Sequence, residues 1–196
     1  MFRKFSAWAI TYAIKLGYIS DDESEEYIYG FDLIMSIIFS DIAMLVLGMS
    51  MHMILETVIF VLMYKCIRKN TGGFHCEKAL TCFISSCTMC ICVLLSIKYF
   101  TYNFIIYIAA TVVLLTILFF LSPIEAINKP LDEVEFKVFG RRARFVIIIV
   151  LVIYIVMCIL DLTNIIKIMT ISIADVTLFA ILGKLKLLQY RKQHKK

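Results

Sequence analysis

Apolar residues fall along this chain in long blocks rather than in alternation. Six blocks can be drawn, roughly 31–50, 54–66, 79–97, 103–122, 145–160 and 164–183, separated by short polar connections. From Tyr99 to Ile124 no charged side chain occurs, a run longer than the ~20 apolar residues a helix needs to cross a bilayer. Within hydrocarbon every backbone amide must find its partner inside the chain, so such blocks predict helices. The second and fifth fall short of the ~17-residue lower limit for a simple span and need flanking residues, tilt, local thinning or a re-entrant path. The pattern predicts an all-α polytopic membrane bundle of about six transmembrane helices.

Residues 1–20 read differently. Phe5, Ala9, Tyr12 and Leu16 recur at helical spacing beside Arg3, Lys4 and Lys15, the pattern of an amphipathic helix lying in the membrane interface. The stretch is broken by Lys15 and followed by Asp21, Asp22, Glu23, Glu25 and Glu26 with no small-residue cleavage site, which argues against a cleaved signal peptide. Ser20 with Glu23 has the spacing of a capping box and predicts a helix start there.

Composition agrees with the block pattern. Of 196 residues 62% are hydrophobic and 18% charged, and the mean hydropathy is +0.92. Soluble domains carry about 45–50% apolar residues, so a soluble enzyme is excluded. Residues 1–196 read as a single integral membrane domain, with 184–196 as a basic tail. The seven cysteines lie in apolar blocks or beside basic connections and read as free thiols.

Charge sets an expected orientation. Of 20 Lys and Arg, all except Lys98 and Lys167 fall at the two ends of the chain and in the connections after the second and fourth blocks. Cation-rich connections stay in the cytoplasm, so both termini and these two connections are expected there. The net charge of +5 suits orientation, anionic lipid or an acidic partner; no basic stripe with exposed aromatics points to nucleic acid.

Irregular backbone concentrates in the same two connections. The adjacent pair Gly72 and Gly73 interrupts the first, and the only prolines, Pro123 and Pro130, bracket the second. One polar constellation stands beside a thiol, RKNTGGFHCEKALTC from Arg68 to Cys82. A thiol needs a base to become a nucleophile near neutral pH, and an imidazole supplies one. On a continuous helix His75 and Cys82 would lie about 10.5 Å apart, so the pair requires a turn at the glycines and a helix starting after His75. Lys78 and the helix dipole would then favour a thiolate. The alternatives are that Cys82 packs like Cys87, Cys90 and Cys92, that Cys76 is the nucleophile, or that Cys87 and Cys90 form a redox pair, for which no βαβ context exists.

Asp41, Glu56 and Asp175 fall inside apolar blocks, with Lys167 on the Asp175 face. Ionisable residues in spans mark ion or substrate paths, so a small transporter or peptide exporter is the competing function, and interhelical pairing the structural alternative.

Arg68, Gly72-Gly73, His75 and Cys82 resemble the signature of the accessory gene regulator B (AgrB) family of membrane cysteine peptidases, and Asn128–Leu131 (NKPL), with Pro123 and Glu135 around it, resembles that family's second landmark. The resemblance covers nearly the whole chain. It implies an endopeptidase of the bacterial plasma membrane that acts on an AgrD-like precursor peptide. Cys82 would attack at the junction with the C-terminal tail, with His75 as base and then acid, and a residue of the peptide would displace the resulting thioester to form a thiolactone or lactone. It also implies a homodimer and no metal or cofactor. Arg68, Lys69, Asn128 and Lys129 are candidates for substrate binding, Gly72, Gly73 and Pro130 for loop structure. For an oxyanion donor, Asn128 and amides near Gly73 stay open; for a third member, Glu77, Glu125 and Asp132.

Overall fold

The computed structural model describes residues 2–72, 79–125 and 131–193. These form seven α-helices and no strand: α1 (Arg3–Lys15), α2 (Ser24–Ser50), α3 (Ile54–Thr71), α4 (Ala79–Tyr99), α5 (Phe104–Leu121), α6 (Glu133–Ile159) and α7 (Thr163–Gln193). The predicted all-α helical bundle is what is found.

Five helices, α2 and α4 to α7, are long and apolar enough to cross a membrane. The second block is the exception: α3 runs on to Thr71 and carries Glu56, Lys65, Arg68 and Lys69. It is held inside the bundle rather than by hydrophobicity alone. Phe60 and Ile67 are fully buried, and Lys65 forms an ion pair with Asp41 of α2, which offsets the cost of charge at that depth. The basic stretch after 183 is helical as far as Gln193, a continuation of α7.

α7 is the central column, with 50% of its apolar window buried against 11–28% in the other four. One core joins Met44, Phe60, Met89, Val93, Leu94 and Ile168; a second joins Ile67, Leu118, Ile147, Ile173, Val176 and Ala180. Between them, Thr170 of α7 hydrogen-bonds Thr111 of α5 at 2.9 Å and Tyr154 of α6 at 3.0 Å. Hydrogen bonds of this kind hold helices together where lipid removes the hydrophobic drive. Outward faces stay apolar, as Ile34, Ile42, Val46 and Phe120 show, the surface a bilayer covers and water would not tolerate.

Left-handed caps reverse the chain. Gly17, His52 and Asp161 have positive φ, and the amides after them reach back to Ala13, Gly48 and Met157, the double-bonded arrangement that closes helix C-termini. Gly48 also lets α2 and α3 approach, because a β-carbon there would lie 2.1 Å from Thr57 Oγ1. At Ser20 no side-chain cap forms; a 3-10 turn, Asp21–Glu23, leads into α2. The capping box is instead Asp132 with Glu135 at the start of α6, where the Glu135 amide donates to Asp132 Oδ1 at 2.6 Å.

α1 packs on α2 through Phe2 against Phe39 (5.3 Å) and Phe5 against Phe31 (6.3 Å), with the Phe2 amide donating to Asp32 at 2.6 Å. Trp8, Tyr12 and Leu16 face outward, as an interfacial helix requires.

Candidate functional site

The C-termini of α3, α5 and α7 and the N-termini of α2, α4 and α6 lie toward one end of the bundle. The cation-rich connections emerge here. Cys82 lies in the first turn of α4 and is exposed. Its neighbour Phe83 packs on Phe39 of α2 at 5.1 Å, which continues the aromatic row from Phe2 and fixes this turn against α1 and α2. A thiol at the first turn feels the positive end of the helix dipole.

The last two turns of α3 carry Tyr64 and Arg68. The Arg68 guanidinium donates to the Gly72 carbonyl at 3.1 Å and hydrogen-bonds the Tyr64 hydroxyl. Tyr64 lies within electrostatic range of Cys82 and of Asp175 on α7. Four helices therefore contribute to one neighbourhood: Tyr64 and Arg68 from α3, Cys82 from α4, Asp175 from α7, with Phe39 of α2 behind.

The two irregular connections are joined. The Ile124 amide donates to the Thr71 carbonyl at 2.9 Å, and Gly72 and Ile124 form an isolated parallel β-bridge. Gly72 has φ +76° and ψ −161°, a region open in practice only to glycine. A side chain there would also collide with Ile124, whose carbonyl oxygen lies 2.2 Å from an added β-carbon. One residue on, Glu125 pairs with Arg191 of α7 at 2.5 Å.

Expectation and geometry meet unevenly. Arg68 and Gly72 are in contact, and Cys82 on α4 lies within electrostatic range of Tyr64 on α3. Lys69 is exposed in the last turn of α3, open to a ligand. Arg68, a candidate for receiving substrate carboxylates, donates to the Gly72 carbonyl and hydrogen-bonds Tyr64. Asp175, for which pairing with Lys167 or with another span is the structural alternative, lies within electrostatic range of Arg68 on α3. Asp132 and Glu125, considered as third members of the site, serve as helix cap and ion-pair partner. His75, Cys76, Glu77 and Lys78, with Gly73, Asn128, Lys129 and Pro130, lie outside the described residues. Sequence reasoning missed Tyr64 and Ile124; Tyr64 could have been found, since it stands one turn before Arg68.

Fold and site define a class: a multi-pass helical membrane protein with an exposed thiol at the cation-rich end. The comparisons are more specific. The family description Accessory gene regulator B matches residues 7–182, and the chain belongs to that family. Among curated proteins, AgrB-like protein 2 of Clostridium perfringens (strain 13 / Type A) is 29% identical over 125 residues, 60% of this chain and 58% of the relative. The AgrB-like protein of Clostridium perfringens (strain SM101 / Type A) matches to the same extent. The chain thus aligns with less than two thirds of the length of these relatives. No solved structure matches it.

Proposed function

We propose that this chain is a membrane cysteine endopeptidase of an accessory gene regulator quorum-sensing system, removing the C-terminal tail of an AgrD-like propeptide. The observation that carries this is the exposed Cys82 in the first turn of α4, at its motif position within a chain matched to the family over residues 7–182. The Cys82 thiolate attacks the carbonyl at the tail junction, and His75, having taken the thiol proton, returns it to the departing amine. A thioester between Cys82 and the tail-less peptide remains. A thiol or hydroxyl within the peptide then attacks that carbonyl, closing a thiolactone or lactone ring and restoring the Cys82 thiol. Exclusion of water at the membrane mouth protects the thioester meanwhile.

Substrate binding follows from charge. The Cys82 end carries nearly all the cations, which supports a cytoplasmic position for it and for both termini. An acidic tail would be drawn there, with Lys69 the exposed cation beside the site and Asn128 and Lys129 on the second connection. The same reading includes a homodimer. In proteoliposomes supplied with precursor, the wild type releases the tail, and Cys82→Ala and His75→Ala each lower release at least about 1,000-fold. Undiminished release by Cys82→Ala overturns the assignment.

A further inference from the structure

A groove of about 280 Å³ runs between α5 and α6 on the outer face of the bundle. Leu115 and Ile147, both buried in the core behind it, line its inner side, and the exposed Val112, Phe120 and Ile148 line its outer edges. Thr116 is the polar member of the lining, and its hydroxyl is already satisfied by the Val112 carbonyl at 2.7 Å. From Phe120 to Val112 the groove follows α5 for about 12 Å, most of the ~15 Å half-thickness of a bilayer's hydrocarbon.

Its mouth is cationic. The Arg144 guanidinium lies 5.6 Å from the centroid of Phe119, itself a lining residue. Arg144 is the last charged residue before Phe145–Leu160, an uncharged stretch, so it stands at the edge of the hydrocarbon. Arg141, Arg144, Ile148 and Leu151 share one face of α6 by helical spacing, which sets two exposed arginines directly above the apolar lining. Among the described residues neither arginine forms an ion pair.

We propose that this groove binds an anionic phospholipid, one acyl chain lying along it from Phe120 toward Val112 and the phosphate held by Arg144 and Arg141. A guanidinium matches phosphate geometry while its plane rests on a ring, and basic sites between spans on the cation-rich side take anionic headgroups. Charge favours lipid over a second copy of the chain. A two-fold contact here would set each arginine pair against its own equivalent, whereas a headgroup neutralises them. The site does not depend on the peptidase reading.

The test uses the full-length protein in mild detergent with added phosphatidylglycerol or phosphatidylcholine of identical acyl chains, and native mass spectrometry to read the lipid retained. The wild type is expected to prefer phosphatidylglycerol about 10-fold or more. Arg141→Gln with Arg144→Gln lowers its retention about 10- to 30-fold; Lys15→Gln with Lys192→Gln removes equal charge elsewhere and leaves retention nearly unchanged. Ile148→Trp, which fills the groove from its exposed edge, lowers retention with the cations intact. Equal retention of both lipids by the wild type, equal loss in the two charge variants, or full retention in Ile148→Trp overturns the proposal. So does a dimer that Ile148→Trp splits without loss of lipid, which assigns the groove to a second copy. Should a variant unfold, the wild-type unfolding midpoint decides: it rises more with phosphatidylglycerol than with phosphatidylcholine at equal concentration, and equal rises count against the site.

Discussion

The Ile124 carbonyl oxygen lies 2.2 Å from the point where Gly72 would carry a β-carbon, and the Ile124 amide donates to the carbonyl of Thr71. The residues that close α3 and follow α5 are thereby joined, and the absence of a side chain at residue 72 is what permits it. Gly72→Ala meets both a clash with backbone and a φ of +76°. It is expected to destabilise by about 1–3 kcal/mol and to lower tail release more than its effect on folding explains. Thermal unfolding and turnover on the same preparation check this.

A second glycine gives the contrast. Gly48 faces Thr57 far from Cys82, and an added β-carbon would overpack α2 against α3. Gly48→Ala is expected to cost about 1–3 kcal/mol while the folded fraction keeps the wild-type acylation rate. Active-site titration with a thiol reagent, normalised to folded protein, separates the two effects.

The buried hydroxyl network gives a graded prediction. Thr170 serves both Thr111 and Tyr154, so Thr170→Val strands two groups and is expected to cost about 1–2 kcal/mol. Tyr154→Phe leaves the Thr111–Thr170 bond in place and should cost less. Denaturation in detergent that finds Tyr154→Phe the more damaging would show that Thr170 is not the hub.

Lys69 tests substrate charge. Its side chain is exposed in the last turn of α3. Lys69→Glu is expected to raise the KM for an acidic-tailed precursor about 10-fold at low salt, with kcat nearly unchanged and the difference shrinking as salt rises. A salt-independent KM would remove Lys69 from the binding surface.

Much of this was legible along the chain because bilayer thickness dictates block length: α2, α3, α4 and α7 contain their predicted blocks, and α5 and α6 fall short of theirs by no more than a single residue at an end. The charged residues of α3 blurred its status, since only packing shows that Asp41 faces Lys65. Arg68, Gly72 and Cys82 stood out along the chain because their spacing is local. Asp175 was visible as an oddity, an acid in an apolar span, but what faces it depends on how α7 crosses α3, and no periodicity encodes that. Ile124 left no signal at all: its role lies in backbone atoms that every residue possesses. Ser20 with Glu23 had the spacing of a capping box, yet the acidic run folds as a 3-10 turn before α2, and the box sits at Asp132.

The nucleophile is the central claim, and intact-mass spectrometry of the protein itself tests it most directly. Wild type, Cys82→Ala and His75→Ala are reconstituted in liposomes, mixed with a tailed AgrD-like precursor and quenched in acid. The account predicts an adduct of tail-less peptide mass on the wild type, mapped to Cys82, cleaved by hydroxylamine and absent from both variants. An intact precursor that the wild type and Cys82→Ala alike carry across the bilayer would contradict it and return attention to the acids within the spans.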